Sequence, residues 1–120
     1  MDTPPFVSTG SQVARCRSSS RCHQVDIFFE NNPTYKLGPT AASMHVNPVA
    51  WYSGTHLLDS GWAWGQEHLD GGTAVVDAPL GKGKVMAMGP QVTFRGEPHA
   101  TFKLMFNGLY YSSAEPTTLH

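Results

Sequence analysis

From Val25 onward the apolar positions of this chain come in short runs, and their spacing predicts one element after another. Val25-Asp26-Ile27-Phe28-Phe29 is short and β-prone, and Asn31-Asn32-Pro33 closes it as a turn. Residues 34–48 scatter Tyr35, Leu37, Met44 and Val46 among Gly, Pro and Ala, which predicts an irregular crossing with one helical turn near Thr40–Met44. Val49-Ala50-Trp51-Tyr52 reads as a second strand, stopped by Ser53-Gly54. In Ser60-Gly61-Trp62-Ala63-Trp64-Gly65 two tryptophans stand at i and i+2, so an extended backbone presents both on one face. Glu67 to Gly72 is then a turn.

The strongest local pattern follows. Thr73-Ala74-Val75-Val76-Asp77-Ala78 reads as a strand, Gly81-Lys82-Gly83 as a glycine-rich turn and Lys84-Val85-Met86-Ala87-Met88 as the returning strand. Val85 and Ala87 break strict alternation, which predicts that both faces of the returning strand are covered. Gly89-Pro90 ends the pair. Beyond Pro98, Phe102, Met105, Phe106 and Leu109 recur at i, i+3, i+4 and i+7, which predicts a helix to Tyr111 with this stripe in the core and Thr101 or His99 near its start. Gly108 inside that helix costs about 1 kcal/mol against Ala unless close packing requires it. The expected fold is a small α/β domain over residues 25–112, its C-terminal half a β-hairpin followed by a helix.

Ahead of Val25 the periodic pattern stops. Met1 to Gln24 holds Pro4-Pro5, several serines and the Arg/Ser-rich stretch Arg15 to Arg21, the composition of a disordered lead or linker. Residues 113–120 read as a loose tail.

Composition adds one point. Charged residues make up 14% of the chain, against about 25% in an ordinary soluble domain. With three Trp, six Phe and four Tyr, this points to surface covered by a partner domain or a second copy. Small folds also expose some apolar area without any partner, and composition leaves both readings open. The net charge of −1 and the lack of a basic face argue against nucleic acid as a partner. No apolar run approaches the roughly 20 residues of a membrane-spanning helix. The first residues lack the apolar core of a signal peptide, so the chain is expected to be cytosolic as written or a piece of something larger. Cys16 and Cys22 fit no common zinc spacing; a local disulfide and two unpaired thiols both remain open.

Four stretches carry a resemblance: Ser60-Gly61-Trp62-Ala63-Trp64-Gly65-Gln66-Glu67, Gly81-Lys82-Gly83-Lys84-Val85, the run from Gly89 to His99 and the run from Thr101 to Gly108. Together they resemble the C-terminal region of large secreted bacterial zinc carboxypeptidases of the metallocarboxypeptidase family. The resemblance spans residues 25–112 and is most specific between Gly89 and Asn107. It implies a glutamine-amidotransferase-like fold, here a partial flavodoxin-like layer, in an accessory domain without the amidotransferase nucleophile. Cys16 and Cys22 lie outside the matching stretch and on no strand-turn-helix elbow. A whole layer of that kind needs more parallel strands than this chain has room for. The resemblance also implies a secreted or periplasmic parent whose separate catalytic domain holds the zinc and serves as the partner. This chain has no His-x-x-Glu; His56-Leu57-Leu58-Asp59 comes nearest, with Asp in place of Glu. No cofactor is expected of the chain itself.

The candidate chemistry is sparse. Arg95-Gly96-Glu97-Pro98-His99 is the densest polar stretch, at what should be a helix N-terminus. Arg95, Glu97 and His99 are the catalytic candidates, with His99 as base and Glu97 orienting it. The structural alternative is an Arg95–Glu97 ion pair tying the loop down and His99 capping the helix. Trp62 and Trp64 are candidates for stacking on a sugar or peptide, and equally for filling a core or an interface. No histidine pair stands at i and i+4; His56, Glu67 and His68 are the metal candidates, against the alternative of surface histidines with local hydrogen bonds. Gly81-Lys82-Gly83-Lys84 lacks the spacing of a phosphate-binding loop, and no Gly-x-Ser-x-Gly occurs. The expected function is a non-catalytic accessory or interaction domain that packs on a catalytic domain or self-associates. The alternatives are a small hydrolase using the 95–99 loop and a ligand-binding module using Trp62 and Trp64.

Overall fold

The structure, a computed structural model, describes residues 7–9, 11–16, 24–28, 32–96 and 99–114; in the first three segments it describes the backbone and the Ile27 side chain. Seven strands and one helix run in the order β1 (Val7–Thr9), β2 (Ser11–Cys16), β3 (Gln24–Phe28), β4 (Asn47–Trp51), β5 (Trp62–Trp64), β6 (Thr73–Leu80), β7 (Gly83–Met88) and α1 (His99–Ser112). Five strands form one sheet in the order β3-β2-β4-β6-β7, and β1 pairs with β5 apart from it. The fold is mixed α and β. Every ladder among the described residues is antiparallel, whereas a flavodoxin-like layer is built of parallel strands joined by crossover helices. Two stretches of the segment expected as a disordered lead, Val7–Thr9 and Ser11–Cys16, are strands; neither carries a β-prone apolar run like that of Val25–Phe29.

The hairpin forms as its sequence predicts. β6 and β7 are joined by Gly81-Lys82, and Gly81 takes φ +60°, the pattern of a type II′ turn with glycine first. The expectation that both faces of the returning strand are covered is corrected. It is β6 that is buried from Thr73 to Asp77, because it lies between β4 and β7, while β7 is the last strand of the sheet among the described residues, with Val85 exposed. The ladder between β4 and β6 is irregular around Pro48 and Ala50. Among the described residues β2 meets β4 only at Ala50 and Trp51, and Pro48, without an N–H, has no described neighbour on that side.

The core is built of Ile27, Ala50, Tyr52, Leu57, Leu69, Ala74 and Val75, with Val49, Met86, Met88 and Leu104 packed against it. At Gly89 the chain passes so close to the Pro33 and Ala74 carbonyls that no Cβ fits. The helix occurs where the spacing predicts it but turns a different side inward. Thr101 and Gly108 are buried and Leu104 half-buried; of the expected stripe Phe102 and Met105 are half-buried, whereas Phe106 and Leu109 are exposed. Two contacts choose that side. The Thr101 hydroxyl donates to the Val92 carbonyl at 2.5 Å. Gly108 lies against Met86 and Met88, where an added Cβ would stand 2.6 Å from the Met86 Sδ. Close packing therefore accounts for a glycine in mid-helix. Apolar residues surround most of α1, so periodicity alone cannot say which side the sheet will take.

Candidate interaction surface

Residues 52–72 leave the sheet, carry the two tryptophans outward and return. They are held at both ends by their own side chains. The Gln66 Oε1 accepts from the Leu57 and Leu58 N–H groups at 3.0 and 3.1 Å. The Asp70 Oδ1 accepts from the Gly54 N–H at 2.9 Å, and the Tyr52 N–H donates to the Gly72 carbonyl at 2.9 Å. Leu57 and Leu69 anchor the excursion in the core. A left-handed Gly65 (φ 80°) turns the chain into a short 3-10 helix, Gln66–Leu69, where a plain turn was expected. β5 pairs with β1, Trp64 opposite Val7 and Trp62 opposite Thr9. Both tryptophans project to one side of an extended strand, as their i, i+2 spacing predicts, and they are 57% and 72% exposed with Ala63 half-buried between them. Gln66 and Asp70 were not singled out in the sequence, because a polar side chain that braces a loop carries no periodic signal.

The metal candidates do not assemble. His56, Glu67 and His68 are each exposed, and among the described residues no three of His, Cys, Asp and Glu gather closely enough to hold a metal ion. Arg95 sits in a left-handed turn (φ 49°) with its guanidinium 5.1 Å from the centre of the Phe94 ring. His99 opens α1, exposed, its ring 5.4 Å from that of Phe102. Each is thus placed against an aromatic neighbour of its own segment. Glu97, their expected companion, lies outside the described residues. The residue that ties this region down is Thr101, through its bond to Val92.

A second set of residues joins β7 to the end of α1. Asp77 is a buried carboxylate in an otherwise apolar strand, and such a charge requires a partner. Lys84, next to it across the hairpin, brings its ammonium to 3.8 Å from Asp77 and 3.7 Å from the centre of the Tyr111 ring. One cation thereby answers a carboxylate beneath the helix and an aromatic on its last turn. The lone acid among the apolar residues of β6 was the available sequence signal. Beyond Tyr111, the outward side of the helix carries Phe106, Leu109 and Tyr110, exposed by 50%, 62% and 76%. Deep in the core, burial pushes the Tyr52 phenol well above its ordinary value of 10.0, with the neighbouring Thr34 hydroxyl acting in the opposite sense. That phenol belongs to the core. No helix among the described residues is long and apolar enough to cross a membrane. No family model, curated protein or solved structure matches the chain.

Proposed function

We propose that this chain is a non-catalytic interaction domain whose aromatic surface is covered by another folded protein surface. The observation that carries this reading is the exposure of Trp62, Trp64 and Tyr110, by 57%, 72% and 76%, on a braced strand and a packed helix. Large aromatics held rigidly in water lose little conformational entropy when a partner covers them, which is why such residues dominate interface energetics. The resemblance to the C-terminal region of zinc carboxypeptidases names one class of partner, a metallocarboxypeptidase catalytic domain. The flavodoxin-like part of that resemblance draws no support from the antiparallel ladders.

The test is tryptophan emission of the chain titrated with a zinc-carboxypeptidase catalytic domain, beside an assay for release of C-terminal amino acids by the chain alone with and without zinc. The expected result is a blue shift lost in a Trp62→Ser, Trp64→Ser variant, and no turnover by the chain. Zinc-dependent turnover would overturn the non-catalytic reading. A second reading rests on the placement of Trp62 and Trp64 on one side of β5, an arrangement suited to stacking on a sugar ring or an extended peptide. It predicts a saturable emission change with an oligosaccharide or peptide and no catalytic domain present.

A further inference from the structure

β7 has β6 on one side and, among the described residues, no strand on the other. Its register settles which backbone groups are spare. Pro79 has no N–H, so Pro79 and Lys84 cannot exchange a pair of hydrogen bonds and form a non-bonded pair of the antiparallel ladder. Alternation then makes Val85 and Ala87 the bonded partners of Ala78 and Val76. The Gly89 N–H, which donates to the Ala74 carbonyl at 2.8 Å, has the parity this requires. Lys84, Met86 and Met88 are left with their N–H and C=O groups directed away from β6, at the open edge.

An edge of this kind is ordinarily blunted by proline, a bulge or a projecting lysine. β7 contains no proline, its register with β6 is regular, and its lysine is drawn aside to Asp77 and Tyr111. The end of α1 lies beside it, fixed by Gly108 on Met86 and Met88 and by Tyr111 on Lys84. Phe106, Leu109, Tyr110 and Tyr111 belong to that part of the helix and are each at least half exposed. With 150–250 Å² per large aromatic, they offer on the order of 400 Å² of apolar surface. That is about half of the roughly 800 Å² each partner gives to a standard interface, and a paired strand edge adds to it.

We propose, on the reading of the chain as an interaction domain, that β7 is the seam of a symmetric dimer. A second copy lays its β7 antiparallel along this one, Met86 opposite Met86 on the two-fold axis and Lys84 opposite Met88. The spare N–H and C=O groups of all three residues are then satisfied across the seam, and the two sheets become continuous. A two-fold arrangement requires a self-complementary surface, and this one is. Lys84 faces a methionine rather than its own copy, so no like charges oppose each other. A net charge of −1 adds little repulsion between copies.

The test combines sedimentation with amide hydrogen exchange of the full chain across a concentration series. A dimer is expected, with exchange at the Lys84, Met86 and Met88 amides slowed at least about tenfold as it forms. The Val85 and Ala87 amides, already bonded to β6, are expected to be protected at every concentration. Met86→Pro, which removes an N–H directed away from β6 and to which no strand among the described residues pairs, is expected to give a folded monomer. A monomer at all concentrations overturns the proposal, as does a dimer in which the three amides exchange freely. Neither result touches the interaction-domain reading, which stands or falls on the tryptophan titration.

Discussion

β6 and β7 are the two arms of one hairpin, and each carries several apolar residues, yet they live in different surroundings. β6 is buried through Thr73–Asp77; β7 is half-covered by α1 on one face and, among the described residues, has no strand along one edge. The helix repeats the contrast within a single element. Its Thr101 and Gly108 side is closed against the protein, while its Phe106, Leu109 and Tyr110 side is as apolar and stands in water. Apolar character therefore does not divide inside from outside in this chain. What divides them is the number of neighbours that chain topology supplies, and on the proposed reading the surplus apolar surface is kept for a partner.

The sharpest way to break this contrast is to remove a residue from the closed side. Tyr52 is fully buried, and Tyr52→Ala leaves a large void beside Leu57 and Leu69. A loss of about 3–5 kcal/mol is expected in urea unfolding, enough to unfold a domain of this size. A loss below about 1 kcal/mol would mean that the core collapses freely around the site.

Gly108 tests the closed side of the helix at its tightest point. Gly108→Val drives its side chain into Met86 and Met88, and overpacking of this kind costs about 1–3 kcal/mol. Met side chains are flexible, so Gly108→Ala is expected to cost less, partly offset by the better helix propensity of alanine. Equal stability of all three proteins would show that the helix stands away from β7.

The buried phenol gives a pH test. In the folded chain Tyr52 keeps its proton to higher pH than in the unfolded chain, where it titrates near 10.0. Above that pH the unfolded state binds fewer protons than the folded state, so stability falls as pH rises, by at most about 1.4 kcal/mol per pH unit. Below about pH 10 this group contributes no slope. Tyr52→Phe is expected to flatten the alkaline limb; an unchanged limb would assign it to other groups.

Much of the fold was legible because several elements announce themselves locally. The hairpin follows from two β-prone runs around Gly81-Lys82, and the helix from spacing after Pro98. The side α1 turns inward was not legible, because Phe102, Met105, Phe106 and Leu109 form as good a stripe as the one used. The decision rests on Met86, Met88 and Val92, which are distant in sequence. Of the candidate site, the common face of Trp62 and Trp64 follows from their i, i+2 spacing, whereas their exposure depends on how residues 52–72 are braced. That bracing by Gln66 and Asp70 is a matter of single hydrogen bonds across the loop, which leave no periodic trace.

The smallest effect is expected on the open side, and it separates the two halves of the comparison. Tyr110 is 76% exposed, so Tyr110→Ser removes little that the folded monomer uses. At concentrations low enough to keep the chain monomeric, the change in unfolding free energy should lie within about 0.5 kcal/mol, as for other exposed surface positions. At high concentration the same substitution should lower the midpoint of thermal unfolding relative to the parent. A partner that binds only the folded state adds stability by mass action, and the variant gives up part of that gain. A monomer destabilised by more than about 1 kcal/mol would place Tyr110 on the closed side after all. Equal midpoints at every concentration would show that nothing covers this side of the helix in the isolated protein.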